Sequence, residues 1–424
     1  MGAGMLPAAA RYARRPMSAP TRTRDPAARS VAFAFLGSRL LVWVVGAVSF
    51  RSFPLAGDAP RNGGDVTRAW GALGDTLAAP AVRWDASWYL DIARHGYRRE
   101  AIEPAFFPLY SVLVRGLGEI TRSEILAAVA ISLAAFAASL VLLHRLTTLE
   151  LGADVAGRTV VLLAFFPTAL FFSAVYTEAL FLLLELGAFY AARRGRWALA
   201  GALGALGSAT RNTGWLLAPV LLVLYLYGPR GDREPEVPGA TGLRPRYALR
   251  RDVLWIAVVP VGLFAYLAYM QIHFGDWLAP YHAAQDYFHR NFDGPFSALW
   301  QGGEKAWDGV RDILGGDGPF GPAARKIALF LVACGALGAC VGVIRRLPAA
   351  YGAFALISIV PALSFPYPPG PLASSLRYLV VVFPLFMWLG LRLTDRRAYV
   401  ATVVAFAVML AYCAGMFSTW HFVA

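Results

Sequence analysis

The run Arg83-Trp84-Asp85-Ala86-Ser87-Trp88-Tyr89-Leu90-Asp91-Ile92-Ala93-Arg94-His95-Gly96-Tyr97 sets carboxylates among aromatic rings in a strongly apolar chain. A carboxylate in that setting can take a proton from a substrate hydroxyl at a membrane surface. The same residues would suit an amphipathic interfacial helix, with Trp84, Trp88 and Tyr89 at headgroup depth and Asp85 solvated. Four more polar residues stand where an apolar chain makes them costly. Glu178, in Phe171-Phe172-Ser173-Ala174-Val175-Tyr176-Thr177-Glu178, falls at the turn between two apolar runs. Arg211 and Asn212 fall at the next turn on that side, and Arg377 opens a later apolar run. An ionisable residue at membrane depth usually faces a polar cavity or a partner. Two arginines on one membrane face suit a phosphate, because the planar guanidinium offers a fork of donors. Snorkelling of the arginines and a structural ion pair for Glu178 would account for the same positions.

The elements that must position these residues are membrane spans. The chain has 424 residues, 58% hydrophobic and 15% charged, with a mean hydropathy of +0.53. A span of the hydrocarbon core takes roughly 20 apolar residues. About eleven apolar segments, some short for a span, can be read: 31–50, 124–143, 157–176, 178–192, 197–210, 213–228, 252–273, 324–344, 348–364, 376–391 and 398–418. With the N-terminus inside, Arg11, Arg14, Arg15, Arg193, Arg194, Arg230, Arg233, Arg250, Arg345 and Arg396 all fall on inner segments. That is the positive-inside bias. It places 51–123 and 274–323 outside and 229–251 in the cytoplasm. It also makes 1–30 a disordered, basic cytoplasmic tail ahead of a single transmembrane domain, 31–424.

The long first outer loop is expected to carry two interfacial helices, one around 84–95 and one from Pro104 to Gly118, where Arg115 argues against a span. The formal net charge of +13 spreads over many short loops. It therefore reflects topology and contact with anionic membrane lipids, and argues against a nucleic-acid partner. Cys334, Cys340 and Cys413 lie inside spans and predict neither a disulfide nor a metal site. Two lysines against many arginines suggest a GC-rich bacterial genome, hence a plasma membrane. The absence of a Walker-type glycine motif excludes an ordinary ATP-driven pump.

Four blocks in order resemble one family. They are Trp84-Asp85-Ala86-Ser87-Trp88-Tyr89 with Ile92-Ala93-Arg94-His95-Gly96-Tyr97, then Phe106-Phe107-Pro108-Leu109-Tyr110, then Phe171-Phe172-Ser173-x-x-Tyr176-Thr177-Glu178-Ala179-Leu180-Phe181, then Thr210-Arg211-Asn212-x-Gly214. Together, over about 84–215, they resemble the PIG-V family, GPI mannosyltransferase 2 and its bacterial relatives, within the GT-C glycosyltransferases. Arg377-Tyr378 is a weaker echo. The resemblance implies an all-α, GT-C-like polytopic fold. It also implies a polyprenyl-phosphate sugar donor, typically mannose, and an acid–base residue in the first outer loop. Trp88-Tyr89 stands where the eukaryotic pattern often has His-Phe.

The chemistry of inverting sugar transfer from a lipid phosphate agrees. It needs one general base on the acceptor hydroxyl and cationic groups on the leaving phosphate. Asp85 fits the base; Arg211 and Arg377 fit the phosphate, with His95 as a further candidate there. Trp84, Trp88, Tyr89, Glu178 and Asn212 are the expected substrate contacts. The acceptor would be a lipid or glycan. No Asp-x-Asp motif stands in the loop, so neither a metal nor any cofactor besides the donor is expected. Asp91 lies six residues beyond Asp85, on roughly the opposite helix face, and should not act with it. A flippase of lipid-linked sugars would share the spans and the arginines without needing Asp85, and a GT-C transferase of another sugar would share everything. The topology gives the first prediction. In a cysteine-free background, Ser87→Cys should label from outside intact cells while Thr241→Cys stays protected; labelling of Thr241→Cys would invert the scheme.

Overall fold

Residues 26–56, 71–98, 100–237, 244–316, 319–367 and 370–423 are described by a computed structural model. Most of the 1–30 tail, and 238–243 of the inner loop with Thr241, lie outside the described residues. The described residues are helical throughout, with no strand among them. In order come α1 (Pro26–Ser52), α2 (Gly71–Ala78), α3 (Ala86–His95), α4 (Pro108–Thr121), α5 (Glu124–Leu151) and α6 (Ala153–Phe165). Then follow α7 (Glu178–Arg193), α8 (Trp197–Ser208), α9 (Leu217–Tyr227), α10 (Val261–Phe274), α11 (Ala279–Asp286) and α12 (Ser297–Gly315). The last are α13 (Phe320–Arg346), α14 (Ala349–Ser364), α15 (Ser375–Leu379), α16 (Phe383–Arg392) and α17 (Arg396–Ser418).

Every expected apolar segment becomes helix, but not every one becomes a span-length helix. Among the described residues five stretches are long and apolar enough to cross a membrane: Pro26–Ser52, Glu124–Leu151, Arg251–Phe274, Phe320–Arg346 and Arg396–Ser418. With the shorter apolar helices between them, they make a multi-pass membrane protein. Their outward faces are apolar and exposed, as along Phe33, Leu36, Leu40, Val44 and Val48 of α1, which suits lipid contact. The expected run 157–176 is broken instead. Its helix stops at Phe165, because Phe166 precedes Pro167 and is driven to extended backbone. A buried 3₁₀ turn, Ala169–Phe172, follows. The 376–391 run breaks likewise before Pro384, between α15 and α16. Residues 26–30 of the expected tail are already helical, as the first described residues of α1.

α7 is the axial helix, with thirteen of its sixteen residues buried; a helix apolar all round belongs inside. α5 and α8 flank it. At its far end Arg193 pairs with Glu150, which also accepts from the Tyr351 hydroxyl at 2.8 Å. Nearby, Arg230 stacks on Tyr225 (4.3 Å) and Trp197 (4.7 Å) and pairs with Asp232 at 2.6 Å. Burial pulls the Asp232 carboxyl up, but Arg230's hydrogen bond and charge outweigh it and hold the group below the usual range.

The expected interfacial helices are α3 and α4. They pack on each other, with the Ser111 hydroxyl donating to the Tyr89 carbonyl at 3.0 Å. α8 meets the Pro260 break through small residues. Ser208 donates to the Val259 carbonyl at 2.6 Å and accepts from the Leu263 N–H at 3.1 Å. Gly214 lies in the 3₁₀ turn Asn212–Leu216, its α-carbon against the Gly207 carbonyl and the Ser208 N–H at the end of α8. A methyl there would meet the Gly207–Ser208 peptide unit. Gly214→Ala is therefore expected to destabilise the protein by about 1–3 kcal/mol, read as a lower thermal midpoint in detergent. An unchanged midpoint would mean that the turn yields freely.

Candidate active site

The site forms where helices stop. Before α3 the backbone turns sharply at Trp84, a non-glycine residue with φ of 56°, a conformation that costs energy for a bulky side chain. Two groups hold this turn. The Val175 N–H donates to the Ala81 carbonyl at 2.9 Å. The Tyr176 hydroxyl donates to the Arg83 carbonyl and accepts the Asp85 N–H, both at 3.1 Å. The unwound segment 173–177 thus sets the register of the Asp85 segment. That segment is itself pinned from α1 by Arg39, which donates to the Ala169 carbonyl at 2.9 Å and to the Ser173 hydroxyl, over the Phe136 ring. Ser374, with φ of 68°, makes a second left-handed turn, and from it α15 projects Arg377.

Four charged side chains from four segments then meet. Arg377 donates from Nη1 to Asp85 Oδ2 at 2.7 Å and from Nε to Glu178 Oε1 at 2.5 Å. Arg211 donates from Nη1 to the same Glu178 oxygen at 3.2 Å. The Arg377 guanidinium lies 4.5 Å from the Tyr176 ring centroid and 5.3 Å from that of Phe171. So the Phe171-to-Glu178 block acts as one device: two rings stack the cation and the carboxylate at its end fixes it. Glu178 has no exposed surface, whereas the Asp85 side chain keeps 28%. Two carboxylates and two guanidiniums give the cluster no net charge. Asp85 Oδ1 and Arg377 Nη2 have no hydrogen-bond partner among the described residues and remain available to a ligand.

The other expected residues divide. Tyr89 is buried against Tyr176, Phe106 and Tyr110 and supports the cluster from beneath. Trp88 stacks on Phe106. Trp84 packs on Trp420 and Phe422 from the chain's end. Asn212 lines a cavity with Arg211. His95 does not join them. It sits at the far end of α3, about 15 Å along the axis from its start, and its ring pairs with Asp91 at 3.0 Å. Asp91 also holds Arg98, so it faces away from Asp85, as helical spacing predicts.

The cavity measures about 530 Å³ and lies between the 212–216 turn, α10, α11 and α14. Leu263, Leu267, Phe354 and Val381 line its apolar wall; Arg211, Asn212 and Arg290 mark its polar side. Below it Glu103, without exposed surface, accepts the Arg98 N–H at 2.5 Å. Burial raises its carboxyl above the usual range, only partly offset by that N–H. Among the described residues no three His, Cys, Asp or Glu side chains gather to hold a metal ion. Sequence reasoning missed Tyr176 as the pin, Arg39 and Arg290. It also missed Glu185, buried seven residues beyond Glu178 with neither oxygen partnered among the described residues. Arg39 and Glu185 were detectable as charges inside apolar runs; Arg290, in a polar loop, carried no such signal.

Residues 65–223 match the family described as mannosyltransferase (PIG-V), the resemblance the four blocks carried. The GPI alpha-1,6-mannosyltransferase 2 of Cricetulus griseus is 32% identical over 210 residues, 47% of this chain and 42% of that protein. The Rattus norvegicus protein of the same name is 32% identical over 48% of this chain and 43% of its own length. The chain thus spans less than half the length of the curated relatives it matches. Among solved structures, the Archaeoglobus fulgidus oligosaccharyltransferase tethered to an acceptor peptide aligns with 92% of this chain and 56% of its own. Its TM-score is 0.41 at 12% identity. The same organism's oligosaccharyltransferase AglB, with an inhibitory peptide and a dolichol-phosphate, aligns with a TM-score of 0.40 at 14% identity, over 92% of this chain and 56% of its own.

A shared buried carboxylate makes a stability prediction. Glu178→Gln takes from Arg211 its paired carboxylate and from Arg377 one of two, and should cost about 3–5 kcal/mol. Glu185→Gln, which breaks no ion pair, should leave the thermal midpoint nearly unchanged. Equal midpoints for the two variants would show that Glu178 does not hold the cluster.

Proposed function

We propose that this chain is a membrane mannosyltransferase of GT-C type. In this reading it moves mannose from a polyprenyl-phosphate donor to a hydroxyl of a lipid or glycan acceptor, with inversion, on the outer face of a bacterial plasma membrane. The observation that carries the reading is the meeting of Asp85 with Arg377, Glu178 and Arg211 beside the apolar cavity. The family match covers three of those four residues.

The chemistry follows from the placement. Asp85 Oδ1 takes the proton of the acceptor hydroxyl as its oxygen forms a bond to the sugar's anomeric carbon. The bond from that carbon to the phosphate oxygen breaks on the opposite face, and polyprenyl phosphate leaves with the electron pair. Because Arg377 occupies Oδ2, the carboxylate is fixed in one orientation, which spares reorganisation at the moment of proton transfer. The remaining donors of Arg377 and Arg211 face the developing phosphate charge. Glu178 holds both guanidiniums in place without touching substrate. No cofactor besides the donor enters this scheme. A transferase of another sugar would use the same four residues, since none of them reads the sugar's hydroxyls.

Asp85→Asn tests it. The amide keeps the shape and the Arg377 hydrogen bond but has almost no basicity. With purified protein, labelled polyprenyl-phosphate mannose and a bacterial lipid extract, turnover should fall about a hundred- to ten-thousand-fold. Donor binding should change little. Asp91→Asn, on the far face of α3, should keep most of the activity. Near-wild-type transfer by Asp85→Asn would remove the base assignment, and transport of the intact donor without transfer by the wild type would point to a flippase.

A further inference from the structure

We propose that Arg290, in the segment between α11 and α12, is a donor-binding residue that grips the phosphate of a long-chain lipid phosphate lying in the 530 Å³ cavity. The inference rests on the lipid-phosphate reading above and names the residue that reading lacks.

Charge accounting leads to it. In the cluster, Arg377 faces two carboxylates and Arg211 faces one. Arg290 faces none among the described residues. Its Nη1 donates to the Phe365 carbonyl at 3.4 Å and its Nη2 to the Ser374 hydroxyl at 3.3 Å, both neutral and both long. A guanidinium that is half-buried and held only by neutral acceptors retains most of its affinity for an anion. No carboxylate lines the cavity. With the four-residue cluster neutral, Arg290 leaves the site one positive charge in excess, which matches the single negative charge of a lipid–phosphate–sugar diester.

Position agrees with charge. The guanidiniums of Arg211 and Arg290 lie 5.8 Å and 5.6 Å from the centroid of one ring, that of Tyr378. Tyr378 is the residue after Arg377, so the ring that both cavity cations approach and the cation that holds Asp85 share one short helix. The anchor for Arg290 is Ser374, whose left-handed turn launches that helix. The apolar wall of Leu263, Leu267, Phe354 and Val381 offers nothing to an ion and suits a hydrocarbon tail. The cavity therefore pairs a cationic side with an apolar wall, the two halves of a lipid phosphate. A free anion would use only the first half.

The test measures binding, without turnover, to the purified full chain in detergent. The probes are farnesyl phosphate, farnesol and inorganic phosphate. Wild type should bind farnesyl phosphate at least about tenfold more tightly than farnesol. R290Q should lose about ten- to a hundredfold of its affinity for farnesyl phosphate and none for farnesol. R290K, which keeps the charge without the planar fork, should fall between, and it carries the test should R290Q fail to fold. Wild-type affinity for farnesyl phosphate in both variants would overturn the role of Arg290 and leave the lipid-phosphate reading standing. Failure of the wild type to bind farnesyl phosphate would overturn both. Competition by inorganic phosphate as strong as that by farnesyl phosphate would make this a free-anion site and overturn the lipid assignment.

Discussion

A single carboxylate oxygen, Glu178 Oε1, accepts from two guanidiniums that approach from different parts of the chain. An ionised carboxylate without exposed surface survives only when paired and hydrogen-bonded. Glu178 meets that condition through Arg377 and Arg211, and everything at this end of the molecule is arranged so that it can. Tyr176 stacks the first cation and pins the backbone beside Asp85. The 3₁₀ turn at Asn212 presents the second cation, and Gly214 lets that turn come close enough to α8. Asp85 is reached last, through the free nitrogen of a guanidinium already fixed by Glu178.

The helices and the chemistry divide the chain between them. Regular spans satisfy their own backbone groups and can face lipid. The cluster sits at the breaks between helices: Asp85 and Arg211 stand just before helical turns, Glu178 opens α7, and Arg377 lies in the five-residue α15. Pro167 and Pro384 divide two of the apolar runs, and left-handed turns at Trp84 and Ser374 precede α3 and α15. Backbone freed from helix at those points is paired across segments, as between Val175 and Ala81 or between the Leu109 N–H and the Ala209 carbonyl at 3.1 Å.

Much of this was legible in the residues. The apolar runs announced the helices, and the costly positions of Glu178, Arg211 and Arg377 marked them as candidates, without showing that they would meet with Asp85 in one cluster. The alternative reading of Glu178, as a structural ion-pair partner of one of the arginines, is the one its contacts support, and they extend it to both. Hydropathy could not show where a run would break, because 160–176 is predominantly apolar on both sides of Pro167. Spacing could not show that Tyr176 would carry more of the geometry than Trp84. His95 was close to Asp85 in sequence, yet a ten-residue helix placed it at the other end. Arg290 was invisible for the opposite reason: a cation in a polar loop looks solvated until the fold brings Ser374 and Tyr378 beside it.

The ion pairs of Glu178 also set an order in time. Arg211 follows Glu178 by 33 residues, but Arg377 follows it by 199. At ordinary rates of synthesis that gap lasts roughly ten to forty seconds. For all but the first 33 residues of it the nascent chain holds Asp85, Glu178 and Arg211, two anions against one cation. α7 must therefore wait with its N-terminal carboxylate half-compensated, near water or at the headgroups, until α15 emerges. The axial helix of the bundle is the one whose seating depends on a segment made 199 residues later.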